Sequence, residues 1–382
     1  MRISFLLFCL SGTFSVLAQQ HSTDFPDYER TLILEPILDT TANVSFGDLD
    51  GDGHLDMLLV KGRHWPIVDR VLLGNGKGGI RKAYDLGMIS DRSYTGGLAD
   101  FNGDGFPDIA ISNDSPDRKL VYLNDGKGQF TIASEFGLPK WPTRNLTIAD
   151  INKDGLPDLI LANRGGTPNS NYICLNRGKG IFGNNCIAFA PYPSTTITAA
   201  DFNHDGYIDL VVPHRNGGQS YLYRGSPEMT YSEAERIPFG PANAKIRMAA
   251  VADFNGDQLL DIVVIDEEKG VDLYFGQKDL SFSTGISLAD AKIVPYALAM
   301  ADLNNDRLPD IIVGHVNAAS MVFFNTGTGN QFHPVSFGDA KGTVYGFAFG
   351  DFNEDGIPDI AAARSEATNT LYFGTVRQKK NK

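Results

Sequence analysis

Short apolar runs punctuate this chain, and most are rich in β-branched residues. Asn145-Leu146-Thr147-Ile148-Ala149 and Leu159-Ile160-Leu161-Ala162 form one such pair, and Ile262-Val263-Val264-Ile265 is another run. They are apolar on both faces, which suits strands sandwiched between neighbouring sheets. Hairpin signals come next. Tyr122-Leu123-Asn124-Asp125-Gly126-Lys127-Gly128-Gln129-Phe130 contains Asp-Gly, a favoured tight-turn pair, and related turns follow Leu73, Leu175 and Phe324. No stretch sustains a 3.6-residue period, so the pattern predicts an all-β chain.

Between the paired runs lies a nine-residue pattern, Asp-x-(Asp/Asn)-x-Asp-(usually Gly)-x-x-Asp. It recurs seven times, beginning at Asp48, Asp100, Asp150, Asp201, Asp253, Asp302 and Asp351, with successive starts 49 to 52 residues apart. Such regular spacing means one supersecondary unit used repeatedly rather than several domains. Four strands per unit predict a seven-bladed β-propeller of four-stranded blades over residues 28–376. The last unit ends at Leu371-Tyr372-Phe373, one strand short, while Glu29-Arg30-Thr31-Leu32-Ile33-Leu34 is a spare extended segment ahead of the first loop. That segment is expected to supply the missing outer strand and so remove an exposed edge.

A turn accounts for one Asp and one Gly, but not for four oxygen-bearing side chains at fixed offsets in every copy. The loops therefore read as calcium sites, with positions 1, 3, 5 and 9 offering side-chain oxygens and position 7 a carbonyl. The expected ligands are Asp48, Asp50, Asp52 and Asp56; Asp100, Asn102, Asp104 and Asp108; Asp150, Asn152, Asp154 and Asp158; and Asp201, Asn203, Asp205 and Asp209. They continue with Asp253, Asn255, Asp257 and Asp261; Asp302, Asn304, Asp306 and Asp310; and Asp351, Asn353, Asp355 and Asp359. Magnesium, which prefers a tight octahedron and retained waters, fits less well. EF-hands need a Glu at position 12 and flanking helices. Position 6 favours positive φ, so Gln258 and Arg307 predict that the fifth and sixth sites are weaker than the rest.

Composition agrees. The formal charge of −13 and the lack of clustered Lys and Arg argue against a nucleic-acid partner. The loops hold 22 aspartates, and seven divalent ions would bring the total near zero. Met1–Ala18 has one positive charge, an apolar core and a small-residue end, so it reads as a signal peptide followed by a segment over 19–27. The apolar run is shorter than the ~20 residues a membrane span needs. The chain is expected to be secreted, extracellular or periplasmic, and monomeric, with a solvated basic tail over 377–382. Cys174 and Cys186 flank a turn and read either as a hairpin bridge or as two buried thiols.

The loop pattern over all seven units resembles the FG-GAP/VCBS repeat family, and the blades are similar to the seven-bladed headpiece propeller of integrin α subunits. Phe46-Gly47 and Phe349-Gly350, ahead of two loops, echo the family's name. The resemblance implies structural calcium and extracellular interaction, including sugar binding in some members. It does not define a ligand.

The face opposite the loops would gather the starts of the inner strands and the ends of the second strands. Six residues before each loop lie Ala42, Tyr94, Arg144, Thr195, Arg247, Tyr296 and Tyr345. Five residues after each loop lie Lys61, Asn113, Asn163, His214, Asp266, His315 and Arg364. Trp65 and Trp141 fall in connections on this face. From these, Tyr94, Trp65, Trp141, Arg144, Arg247, Tyr296, Tyr345, His214, Asp266, His315 and Arg364 are the expected ligand-binding residues, with aromatics stacking on a sugar or peptide. The leading expectation is a non-catalytic module that binds a glycan or an extracellular protein. The runner-up is a uronate-polysaccharide lyase using Tyr94, Tyr296, Tyr345, Arg144, Arg247, His214 and His315. Glycoside hydrolysis, a Ser-His-Asp triad, a zinc site and a nucleotide loop all lack their sequence signals.

Overall fold

The computed structural model describes residues 25–165 and 170–376. The expected signal peptide and basic tail lie outside the described residues. Among those residues every regular element is a β-strand, and the strands form seven antiparallel sheets of four. No helix among them is long and apolar enough to cross a membrane.

Six blades each use four consecutive strands, so that the first runs through Thr41–Gly47, Asp56–Lys61, Arg70–Gly74 and Ile80–Asp85. Each blade's first strand lies beside the first strand of the next, and Thr343–Gly350 of the seventh returns to Thr41–Gly47. The ring therefore closes around its innermost strands. At the rim Asp27–Ile33 pairs antiparallel with Thr370–Thr375 and completes the seventh blade. The expected N-terminal closure is what the structure shows, with the strand starting two residues earlier than its sequence pattern.

The second strand of each blade explains why the runs are apolar on both faces. Asp158–Asn163 is buried at every position: Leu159 and Leu161 pack towards the preceding blade, Ile160 and Ala162 towards the following one. Asp261–Asp266 divides in the same way, with Ile262 and Val264 on one side and Val263 and Ile265 on the other. Seven apolar clusters result, one for each interface between neighbouring blades. Cys174 and Cys186 form a disulfide with Cα atoms 4.4 Å apart, which resolves the open alternative and staples the third and fourth strands of the third blade.

The closing strand contributes Tyr28 to the cluster between the sixth and seventh blades, 3% exposed, with its ring 5.6 Å from that of Phe337. Among the described residues the buried Tyr28 hydroxyl has no hydrogen-bond partner. Tyr28→Ala is expected to cost about 3–5 kcal/mol in urea unfolding, whereas Tyr28→Phe should be neutral or slightly stabilising because it removes an unpaired polar group.

Candidate functional site

The acidic loops all cross one face of the disc, joining each inner strand to the second. Position 2 of each loop is apolar and anchors it: Leu49, Phe101, Ile151, Phe202, Phe254, Leu303 and Phe352 are at most 5% exposed. Position 1 folds the loop around itself. Its carboxylate accepts the N–H of position 5 at 2.9–3.2 Å and of position 6 at 2.7–2.9 Å in all seven copies. Gln258 and Arg307 donate the same bond as the glycines do, at φ of 68° and 70°. The loop conformation survives there at a local cost on the order of 1 kcal/mol. Position 4 is also left-handed, at Lys153, His204, Asn305 and Glu354 as well as at glycines.

Position 9 is fully buried in every copy. One carboxylate oxygen accepts the N–H of position 2 and the other accepts an N–H at the end of the third strand, at 2.7–3.0 Å throughout. Burial still pushes Asp56, Asp108, Asp158 and Asp261 up to about 6, and Asp310 and Asp359 up to about 7. Among the described residues none of these six carboxylates forms an ion pair with a Lys or Arg, although Arg81 lies close to Asp56.

The donor set suits a hard cation, being all oxygen. In the first loop carboxylate oxygens of Asp48, Asp50 and Asp56 all lie within 4.8 Å of one another, and Asp50 Oδ1 is buried without a partner. The Arg81 guanidinium also reaches Asp50 and Asp52 there, so this loop already holds a positive charge of its own. In the other six the position-3 Asn donates from Nδ2 to the position-5 Asp at 2.8–3.1 Å.

On the opposite face the inner strands are interrupted at one repeated place. Their pairing with the second strand skips Ala42, Tyr94, Arg144, Arg247, Tyr296 and Tyr345, each of which is a bulged residue. A bulge frees a side chain from the strand's alternation and re-aims it. All six, with Thr195 of the fourth blade, line one cavity of about 220 Å³ at the channel mouth.

Three guanidiniums lie over tyrosine rings in this cavity: Arg247 over Tyr296 at 3.4 Å, Arg63 over Tyr345 at 3.8 Å and Arg144 over Tyr94 at 4.3 Å. Such contacts contribute about 0.5–2 kcal/mol each. Arg144 pairs with Asp114 at 2.8 Å, while Glu267 receives Arg215 at 2.6 Å and Arg247 at 3.0 Å. Tyr345 donates to the Tyr296 hydroxyl at 3.1 Å. Burial alone would raise the Tyr296 phenol, but Arg247, the Tyr345 hydroxyl, Arg215 and Arg63 together bring it below the usual tyrosine range. Tyr345 shifts up instead, through burial and the neighbouring Tyr296 oxygen. Burial, Arg144 and Arg63 hold the His64 imidazole down.

A protein-family model described as an FG-GAP-like repeat matches residues 100–161, 150–212, 201–264, 253–313 and 302–362, together more than half of the chain. The chain belongs to the FG-GAP-like repeat family. Among curated proteins no sequence matches it. Among solved structures this FG-GAP-like chain is similar to BBS1N in complex with ARL6DN, at 12% identity and a TM-score of 0.63, covering 93% of this chain and 98% of that one. It is also similar to the Dos1 propeller, at 10% identity and 0.55 over 87% and 77% of the two chains. Raptor from Chaetomium thermophilum gives 11% and 0.62 over 93% of this chain and 29% of that one. At these identities the likeness is one of fold.

The FG-GAP-like ring brings Tyr94, Arg144, Arg247, Tyr296 and Tyr345 together, but not the second-strand ends. His214 stacks on Tyr192, and His315 bonds the Ala319 carbonyl through Nδ1 at 2.7 Å. Asp266 caps the backbone of Lys245, Glu268 and Lys269, and Arg364 is 2% exposed against Asp339 and Tyr372. Trp141 is 7% exposed and stacks on Tyr172 at 3.7 Å, whereas Trp65 stands exposed beside His64. The mouth instead takes Arg63, His64, Arg164 and Arg215, one to three residues beyond those strand ends. Their offset varies between blades, so a fixed register misses them. Basic residues just beyond the second strand in the first, third and fourth blades were the available signal.

The position-9 bonds separate two roles within a loop. In EGTA, Asp108→Ala should cost about 2–6 kcal/mol by urea unfolding, since two buried N–H groups lose their acceptor. Asn102→Ala, at a half-buried position whose side chain bonds only within the loop, should stay within about 1 kcal/mol of the unaltered protein.

Proposed function

We propose that this FG-GAP-like propeller is a secreted, calcium-stabilised, monomeric module that binds a glycan or an extracellular protein at the channel mouth opposite its acidic loops. The observation that carries this reading is the repeated bulge, which delivers one side chain from each of six blades to a single cavity. BBS1N, solved with ARL6DN, gives a precedent for a partner on a propeller of this fold. Calcium would be held by positions 1, 3, 5 and 9 of each loop, where it would neutralise the clustered carboxylates, in the first loop alongside Arg81.

A second reading, a uronate lyase, is favoured by the Tyr296–Tyr345 pair under Arg247. A phenolate there would take the proton beside a uronate carboxylate, β-elimination would break the bond to the glycosidic oxygen and leave a carbon–carbon double bond, and the phenol so formed would return the proton to the departing oxygen.

Both readings are tested with a glycan array, extracellular proteins and uronic polysaccharides, with absorbance followed at the wavelength of the unsaturated product. Retention without new absorbance, lowered at least tenfold by Arg144→Ala in protein of unchanged melting temperature, supports the binder. Rising absorbance that Tyr296→Phe abolishes supports the lyase. Retention unaffected by Arg144→Ala and by Tyr345→Ala places the ligand on another face. EGTA should lower the melting temperature, and added calcium should restore it.

A further inference from the structure

The channel mouth has a charge opposite to that of the chain as a whole. Five guanidiniums line it, from Arg63, Arg144, Arg164, Arg215 and Arg247. Among the described residues only two carboxylates, Asp114 and Glu267, pair with them within 4 Å. Arg63 bonds the Ser365 hydroxyl at 2.9 Å, and Arg164 has no ion-pair partner among the described residues. Like charges gathered around a cavity are costly unless something of opposite sign shares them.

The tyrosines support the arginines rather than a sugar ring. Each of Tyr94, Tyr296 and Tyr345 has a guanidinium over one face, and each has another ring against it: His64 beside Tyr94, and Tyr296 edge-on to Tyr345. A guanidinium held over an aromatic ring by cation–π attraction spends no N–H on that ring, so those not already bonded to Asp114, Glu267 or the Tyr296 carbonyl can serve an oxyanion. This departs from the stacking role that the residue types suggested.

Four buried polar atoms on this cavity's residues have no hydrogen-bond partner among the described residues: Arg63 Nε, Arg144 Nε, Thr195 Oγ1 and Thr196 Oγ1. Buried polar groups are ordinarily paired, so four unpaired atoms in the walls of one cavity leave its lining short of hydrogen-bond partners. Two guanidinium donors call for an anion. The two hydroxyls, each able to donate and accept, call for a hydroxylated neighbour. Arg63 is moreover held at a φ of 53°, a conformation a bulky residue adopts only when its surroundings require it.

Resting on the binding function proposed above, we infer that the occupant is an acidic saccharide, one of whose sugar units places a carboxylate among Arg63, Arg144 and Arg164 and its hydroxyls against Thr195 and Thr196. The cavity volume of about 220 Å³ suits a single sugar unit rather than a folded protein element.

The test is calorimetry at fixed free calcium with two probes: a glucuronate-containing tetrasaccharide, and the same tetrasaccharide with its carboxylates reduced to alcohols. The carboxylate form should bind at least tenfold more tightly, and raising the salt should narrow that ratio. Arg63→Gln with Arg164→Gln should abolish the ratio, while Thr195→Val should weaken both forms severalfold. Equal affinity for the two probes overturns the inference and leaves the proposed binding function standing. Displacement by poly-glutamate at equal carboxylate concentration overturns the saccharide assignment. Failure to bind the acidic probe, in protein that captures other glycans through this cavity, also overturns it. Capture of nothing on this face removes both readings together.

Discussion

A buried carboxylate at the end of each acidic loop is the interaction on which this disc depends. It takes one N–H from the loop's own start and another from the end of the third strand, so three separate pieces of each blade meet on a single side chain. An apolar residue beside the first aspartate is sunk into the interface between blades, and in three blades a hairpin asparagine reaches back to that residue's carbonyl. Those three loops are therefore fastened from both sides. The position-9 carboxylate recurs in all seven blades and ties each inner strand to its neighbours, and the opposite ends of the inner strands meet at one mouth.

Net charge and local charge part company here. The sequence carries a formal charge of −13, with 22 aspartates in the loops. Those aspartates lie on one face, while guanidiniums converge on the other and stack on tyrosines. A chain that composition marks as acidic thus presents an electropositive cavity. The two sets of charges are separated by the length of the inner strands, so neither offsets the self-repulsion within the other.

Periodicity in the chain was enough to read the blades, their number and the closing strand, because each follows from spacing alone. The positions before the loops were legible too, since the bulge recurs at the same offset. The bulge itself was not, because a skipped pair in a ladder leaves no mark on residue type. The second-strand ends misled for a related reason. Polar residues there, such as Asp266 and Arg364, are polar because they cap backbone groups and buried neighbours of their own blade. The side chains that reach the mouth come after them, at offsets set by connections of differing length. The left-handed fourth loop position was foreshadowed by glycine in three copies, but lysine, histidine, asparagine and glutamate in the others masked it.

The most direct measurement is hydrogen–deuterium exchange of the amides bonded to the position-9 carboxylates, such as Phe101 and Asn124 in the second blade and Ile151 and Asn176 in the third. If these carboxylates hold the ring, the amides exchange only with global unfolding, more slowly than those of the exposed loop positions between them. Exchange of these amides at the rate of the neighbouring loop amides, under conditions where the fold stays intact, would contradict the account.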